Sequence, residues 1–65
     1  VEEFAKRLKQ MRERRGMNCK ALGECCGMSK NIIGQYERGE KEPSASSLCK
    51  IADFFEVTTD YLLGR

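Results

Sequence analysis

A chain of 65 residues, 40% hydrophobic and 34% charged with a net charge of +2, has room for one domain around a small core and is too apolar to be a disordered segment. No apolar run approaches the roughly 20 residues needed to cross a bilayer and no secretory signal opens the sequence, so the expected home is the cytoplasm, with no membrane partner. With no histidine, no recognisable carboxylate pair and no glycine-rich phosphate loop, nothing supplies a nucleophile with its base, and neither an enzyme nor a cofactor is expected.

Val1 in place of an initiator methionine points to a trimmed chain. From Glu2 to Arg15 the apolar residues Phe4, Leu8 and Met11 recur at spacings of four and three, one stripe of a helix with charges on its other faces. Glu2 and Glu3 in the first turn and Arg14 and Arg15 in the last complement the helix dipole, and Gly16 ends the helix. Up to Lys20 the chain carries seven bases (Lys6, Arg7, Lys9, Arg12, Arg14, Arg15, Lys20) against three acids (Glu2, Glu3, Glu13), a local charge of +4. That suits a polyanion, and equally a solvated amphipathic helix.

One arrangement then occurs twice, eleven residues apart. Gly16-Met17-Asn18 and Gly27-Met28-Ser29 each pair a helix-ending glycine with an apolar residue and a side-chain oxygen able to cap the next helix. With Asn18 and Ser29 as N-caps, Leu22 packs back on Met17 and Ile33 on Met28, two hydrophobic staples. Val57, Thr58 and Leu62 repeat the pattern near the C-terminus. Helix two is expected over about Cys19 to Cys26 and helix three over about Lys30 to Glu37. So short a link forces the axes to cross steeply, as in a helix-turn-helix or any other tight helical corner.

Gly39 closes helix three, and Pro43 in Glu40-Lys41-Glu42-Pro43 rules out a continuous helix through the loop. Ser44 caps a fourth helix to about Phe55 with a stripe of Leu48, Ile51, Ala52 and Phe55, and Thr58 caps a short fifth from Thr59 to Leu63. Cys19, Cys25, Cys26 and Cys49 contain no C-x-x-C pair, so no metal site is expected and the thiols read as small apolar fillers or incidental surface groups. A redox sensor at Cys25 or Cys26 is a further reading.

On a wheel of about 100° per residue, helix three turns Ile33 and Tyr36 to one side with Ile32 at its edge. Asn31, Gly34, Gln35 and Arg38 fall on the other, with Lys30 in the first turn. This acid-free set has the donors and acceptors of major-groove readout, amides for adenine and cations for guanine, and is also what a plain solvent face contains. Gly34 weighs against the plain face, because glycine costs about 1 kcal/mol relative to alanine in a helix. Removing the side chain lets a base edge or another helix approach closely. For Gly23 in helix two, the simpler expectation is close packing against helix three.

Taken together, these residues resemble the phage-repressor-like Cro/CI helix-turn-helix domains, the XRE type, over nearly the whole chain. The likeness rests on Phe4-x3-Leu8-x2-Met11-Arg12, Gly16-Met17-Asn18, Leu22, Gly27-Met28-Ser29, Ile33, Tyr36-Glu37-Arg38-Gly39, Glu42-Pro43-Ser44, Leu48-x2-Ile51-Ala52 and Val57-Thr58-x-Asp60-x-Leu62-Leu63. It implies an all-α, five-helix, lambda-repressor-like domain spanning residues 1–65, with helix three in the major groove and helix two above it. Lys30, Asn31, Gly34 and Gln35 would form the base-reading surface; Asn18, Cys19, Lys20, Arg38 and Lys41 would meet phosphates; Arg12 and Glu37 would form a structural ion pair. The sequence departs from the family pattern at Cys19, where glutamine is usual, and at Gly23, where alanine is usual. Glu40 and Glu42 subtract from phosphate affinity, which Arg38, Lys41 and the helix dipoles must outweigh.

The resulting expectation is a DNA-binding transcriptional regulator, a repressor, acting as a homodimer on a palindromic operator in double-stranded DNA, since one module buries little surface on its own. Phe54 and Tyr61 are candidates for the dimer surface or for the core. The alternative is a protein-interaction module, such as an antitoxin, or a relative of the same fold that does not bind DNA.

Overall fold

The computed structural model describes residues 2–65, so the expectation attached to Val1 lies outside the described residues. They form five α-helices, α1 Glu2–Arg14, α2 Cys19–Cys25, α3 Ile32–Glu37, α4 Ala45–Phe55 and α5 Thr59–Leu63. α1 packs against α3 and α5, α2 against α3, and α4 against α5. The expected α1 stripe is the buried one: Phe4, Leu8 and Met11 join Leu22, Cys26, Ile33, Tyr36, Ile51, Ala52, Phe55 and Leu62 in one core. Phe4 meets the Tyr36 ring edge-on at 5.5 Å, tying α1 to the inner face of α3. None of the helices is long and apolar enough to cross a membrane.

Local chemistry sets the helix starts. Asn18 Oδ1 accepts from the Ala21 N–H at 2.7 Å, Ser44 Oγ from Ser47 at 3.1 Å and Thr58 Oγ1 from Tyr61 at 3.0 Å. Each cap residue is extended, which aims its oxygen at the first turn. The expected cap at Ser29 does not form. Residues 30 and 31 make a turn first, and α3 starts at Ile32 from Asn31, whose backbone is already right-handed helical (φ −92°, ψ −19°) and makes no side-chain cap. Helix three is thus two residues shorter than its sequence expectation, and Lys30 and Asn31 project from the turn that enters it. α1 and α2 each stop one residue early, at Arg14 and Cys25.

The helix ends share one device. In each, the second or third residue past the helix donates its N–H to a carbonyl five residues back, as Met17 does to Arg12, Met28 to Gly23, Glu40 to Gln35, Val57 to Ala52 and Arg65 to Asp60. The residue directly before each donor is left-handed, as the Schellman motif requires. After α4 that residue is Glu56 (φ 58°), not glycine. Met17 and Met28 are half-buried against the core that contains Leu22 and Ile33. Gly23 is explained by the link, not by α3: a Cβ there would lie 2.8 Å from Ser29 O and 3.5 Å from Met28 O, so the turn can cross α2 this tightly only over a glycine.

Candidate nucleic-acid interface

α3 buries Ile33 and Tyr36 against α1 and leaves its other side open. Lys30, Asn31, Gly34, Gln35 and Arg38 line an open depression of about 390 Å³ there, together with Cys19 from the start of α2. All four expected base-reading positions therefore share one surface, and its lining contains no acid. Lys30 and Asn31 are exposed; Gly34 and Gln35 are half-buried. Of the expected phosphate positions, Lys20 and Lys41 are exposed lysines, and neither lines this depression. Asn18 uses its side-chain oxygen to cap α2, so what it can offer a phosphate is its amide NH2.

Behind this surface, Arg12 reaches from α1 to the end of α3. Its Nε–H and Nη2–H donate to Glu37 Oε2 and Oε1 at 2.6 and 2.9 Å, and Nη1–H donates to Met17 O at 2.8 Å. The two side chains are only 13% and 9% exposed. The hydrogen bond to Glu37 is the main reason the Arg12 pKa lies above its ordinary value. Cys19 Sγ approaches Glu37 Oε2 at 3.9 Å, so the thiol closes the outer side of the pair. One cluster thereby fixes α1, the turn at Met17, the start of α2 and the end of α3.

Other bases in and just after α1 are also engaged within the chain. Arg7 donates to Tyr61 O at 2.7 Å and lies 4.5 Å from the Tyr61 ring centre, while Arg15 lies over Phe54 and Phe55 at 5.0 and 5.2 Å. Two of the seven bases in the first third thus cover aromatic surface and another, Arg12, is held by Glu37, which charge counting cannot reveal. Phe54 packs against the core and Tyr61 is 38% exposed, so the two dimer candidates differ.

Sequence reasoning missed an ion pair at the outer edge. Arg38 Nε–H and Nη2–H donate to Glu40 Oε2 and Oε1 at 2.7 and 3.2 Å. Gly39 (φ 74°) reverses the chain and the Glu40 N–H bonds back to Gln35 O at 2.9 Å, returning Glu40 to the side of the helix it has just left. A glycine-closed helix followed by an acid was the available signal. Each partner's pKa shift is led by this hydrogen bond, which raises Arg38 and lowers Glu40.

The family model described as helix-turn-helix matches residues 8–62. The chain belongs to the helix-turn-helix family. It is 37% identical over 62 residues to the HTH-type transcriptional regulator ImmR of Bacillus subtilis, covering 95% of this chain and 49% of that protein. It therefore spans about half the length of that relative. Its fold is similar to the P22 c2 repressor in complex with a synthetic operator, with TM-score 0.86, 30% identity and coverage of 91% of this chain and 89% of that one. The N-terminal DNA-binding domain of SinR from Bacillus subtilis superposes with TM-score 0.88 at 28% identity, over 97% and 93% of the two chains.

In this helix-turn-helix frame the two departures acquire physical reasons. Cys19 is half-buried beside Glu37, where its small side chain closes the Arg12 pair instead of extending outward. Gly23 accommodates the link. Cys26 is buried, and burial pushes its thiol pKa up. Among the described residues the four cysteines are free, and no group of three or more Cys, Asp or Glu could hold a metal.

Proposed function

We propose that residues 1–65 are one sequence-specific DNA-binding domain of a transcriptional regulator, a repressor, acting in the cytoplasm as a homodimer on an inverted repeat. The observation that carries this reading is the gathering of Lys30, Asn31, Gly34, Gln35 and Arg38 into one open surface, on a fold similar to a repressor in complex with a synthetic operator. α3 enters the major groove, led by Lys30 and Asn31 from the turn before it, and Gln35 pairs with a base edge. Lys20, Lys41, the Asn18 amide and the backbone of Cys19 meet the phosphates, aided by the unpaired N–H groups at the start of α2. The Arg12–Glu37 pair holds α3 at its angle and does not touch DNA.

Selection from a random duplex pool at low salt tests this. A palindromic site should emerge, with Gln35→Ala or Asn31→Ala relaxing one base pair per half-site at a cost of about 1–3 kcal/mol. Lys41→Ala should weaken all sequences alike and flatten the salt dependence. If no sequence is enriched over bulk DNA, the domain is the protein-interaction module instead.

A further inference from the structure

Arg38 caps the C-terminal end of α3, and a helical side chain covers the turn before its own Cα. Here that turn carries Gly34. A Cβ at Gly34 would stand 3.0 Å from Arg38 Nη1, 3.7 Å from Cζ and 3.8 Å from Nη2. The guanidinium thus lies over Gly34, on the same face as Lys30, Asn31 and Gln35, and the missing side chain at Gly34 makes room for it. Glu40 holds it there through Nε and Nη2. A guanidinium has five N–H donors. The carboxylate takes one from Nε and one from Nη2, which leaves the second Nη2 hydrogen and both on Nη1. The Nη1/Nη2 edge, which the carboxylate leaves unpaired, is therefore a two-donor fork, the shape that pairs with O6 and N7 of guanine.

Building on the DNA-binding reading above, we propose that Arg38 is a specificity-determining residue that reads a guanine through its Nη1/Nη2 edge, with Glu40 the positioning residue that fixes the fork over Gly34. This replaces the phosphate contact expected for Arg38 from the family resemblance. It also gives Glu40 a purpose next to a polyanion: the acid lowers general affinity and orients the one side chain able to fill the gap at Gly34.

The test is selection from a random duplex pool with the unaltered domain, Arg38→Lys, Arg38→Ala and Glu40→Gln, followed by affinities for the selected site, for the same site with its guanine pair replaced, and for bulk DNA. The Arg38 side chain is 60% exposed, so these substitutions leave the core intact, which circular dichroism checks. The unaltered domain should require a G·C pair in each half-site. Arg38→Lys keeps the charge without the fork, so it should lose that preference by at least about tenfold while holding bulk DNA as before. Glu40→Gln should relax the same base pair alone and raise bulk binding. The inference is overturned if Arg38→Lys selects the original site with unchanged affinity while Arg38→Ala weakens every sequence equally, because Arg38 is then a phosphate contact. An unaltered domain that enriches no sequence ends the DNA-binding reading itself, a different outcome from either.

Discussion

Glu37 and Arg38 are neighbours at the end of α3, and each forms a two-pronged arginine–carboxylate pair, one inward and one outward. The inner pair joins residues far apart in sequence, is almost fully covered and has its third arginine nitrogen on the Met17 carbonyl. The outer pair joins residues two apart, with side chains 60% and 52% exposed. Identical chemistry therefore has opposite consequences. Largely covered, the pair is a rivet whose loss strands a charge with little access to water. Exposed, it adds little to stability, and an edge of the guanidinium stays open to a ligand.

Breaking the inner pair is the largest test of this contrast. Glu37→Ala leaves the largely covered Arg12 guanidinium without its anion and should cost more than the roughly 1 kcal/mol of an exposed pair, up to about 3–5 kcal/mol as for a fully buried one. Domains hold roughly 0.05–0.15 kcal/mol per residue, so this is a large share of the total and should lower the urea midpoint clearly. Replacing both partners, Arg12→Met with Glu37→Leu, should recover most of the loss, short of full recovery because Met17 O loses its donor. Glu40→Gln should leave the urea midpoint where it was. Equal losses from the Glu37 and Glu40 variants would erase the distinction between the pairs.

The two helical glycines repeat the contrast on a smaller scale. At Gly23 an added methyl meets the Ser29 carbonyl, a backbone atom that cannot step aside, whereas at Gly34 it meets only the far end of the Arg38 side chain. Gly23→Ala should therefore destabilise by about 1–2 kcal/mol, overpacking exceeding the gain in helix propensity. Gly34→Ala should stabilise by up to about 1 kcal/mol, the propensity difference. Urea midpoints of the two variants have opposite signs in this account, and a shared sign would contradict it.

Whatever depended on local pattern was legible in the sequence. The period of Phe4, Leu8 and Met11, the oxygens of Asn18, Ser44 and Thr58, and the glycines after α1, α2 and α3 carry their structural meaning in their own side chains or in the lack of one. Ser29 misled because a turn through residues 30 and 31 comes first and delays the helix to Ile32. The left-handed Glu56 gave no signal because its conformation is imposed by the Schellman closure of α4, not by its residue type. At the interface the wheel grouped Asn31, Gly34, Gln35 and Arg38 correctly on one side, since angular position follows from sequence spacing. The Arg38–Glu40 pair was hidden because it depends on the chain reversing at Gly39, a three-dimensional return that no helical wheel draws.

Acid and salt give the finest separation of the two pairs, acting on the outer one with little effect on stability. Arg38 holds the Glu40 carboxyl below its ordinary range, chiefly through their hydrogen bond. For a depressed carboxylate, the folded state gains wherever pH exceeds the unfolded value, about 4.3 for glutamate, and the gain disappears as pH falls through the lower folded value. The Arg38 Nε–H resonance should therefore keep its paired position through pH 5, then shift toward that of a free guanidinium as the solution is acidified further. Raising salt from 0.1 to 1 M, which shortens the screening length from about 10 to about 3 Å, should loosen it similarly at neutral pH. Arg12 Nε–H, enclosed by Glu37 and Met17, should remain slow to exchange with solvent at high salt. Equal exchange of the two arginines would mean that burial does not divide them, and Arg38 would lose its standing as the member that α3 presents outward.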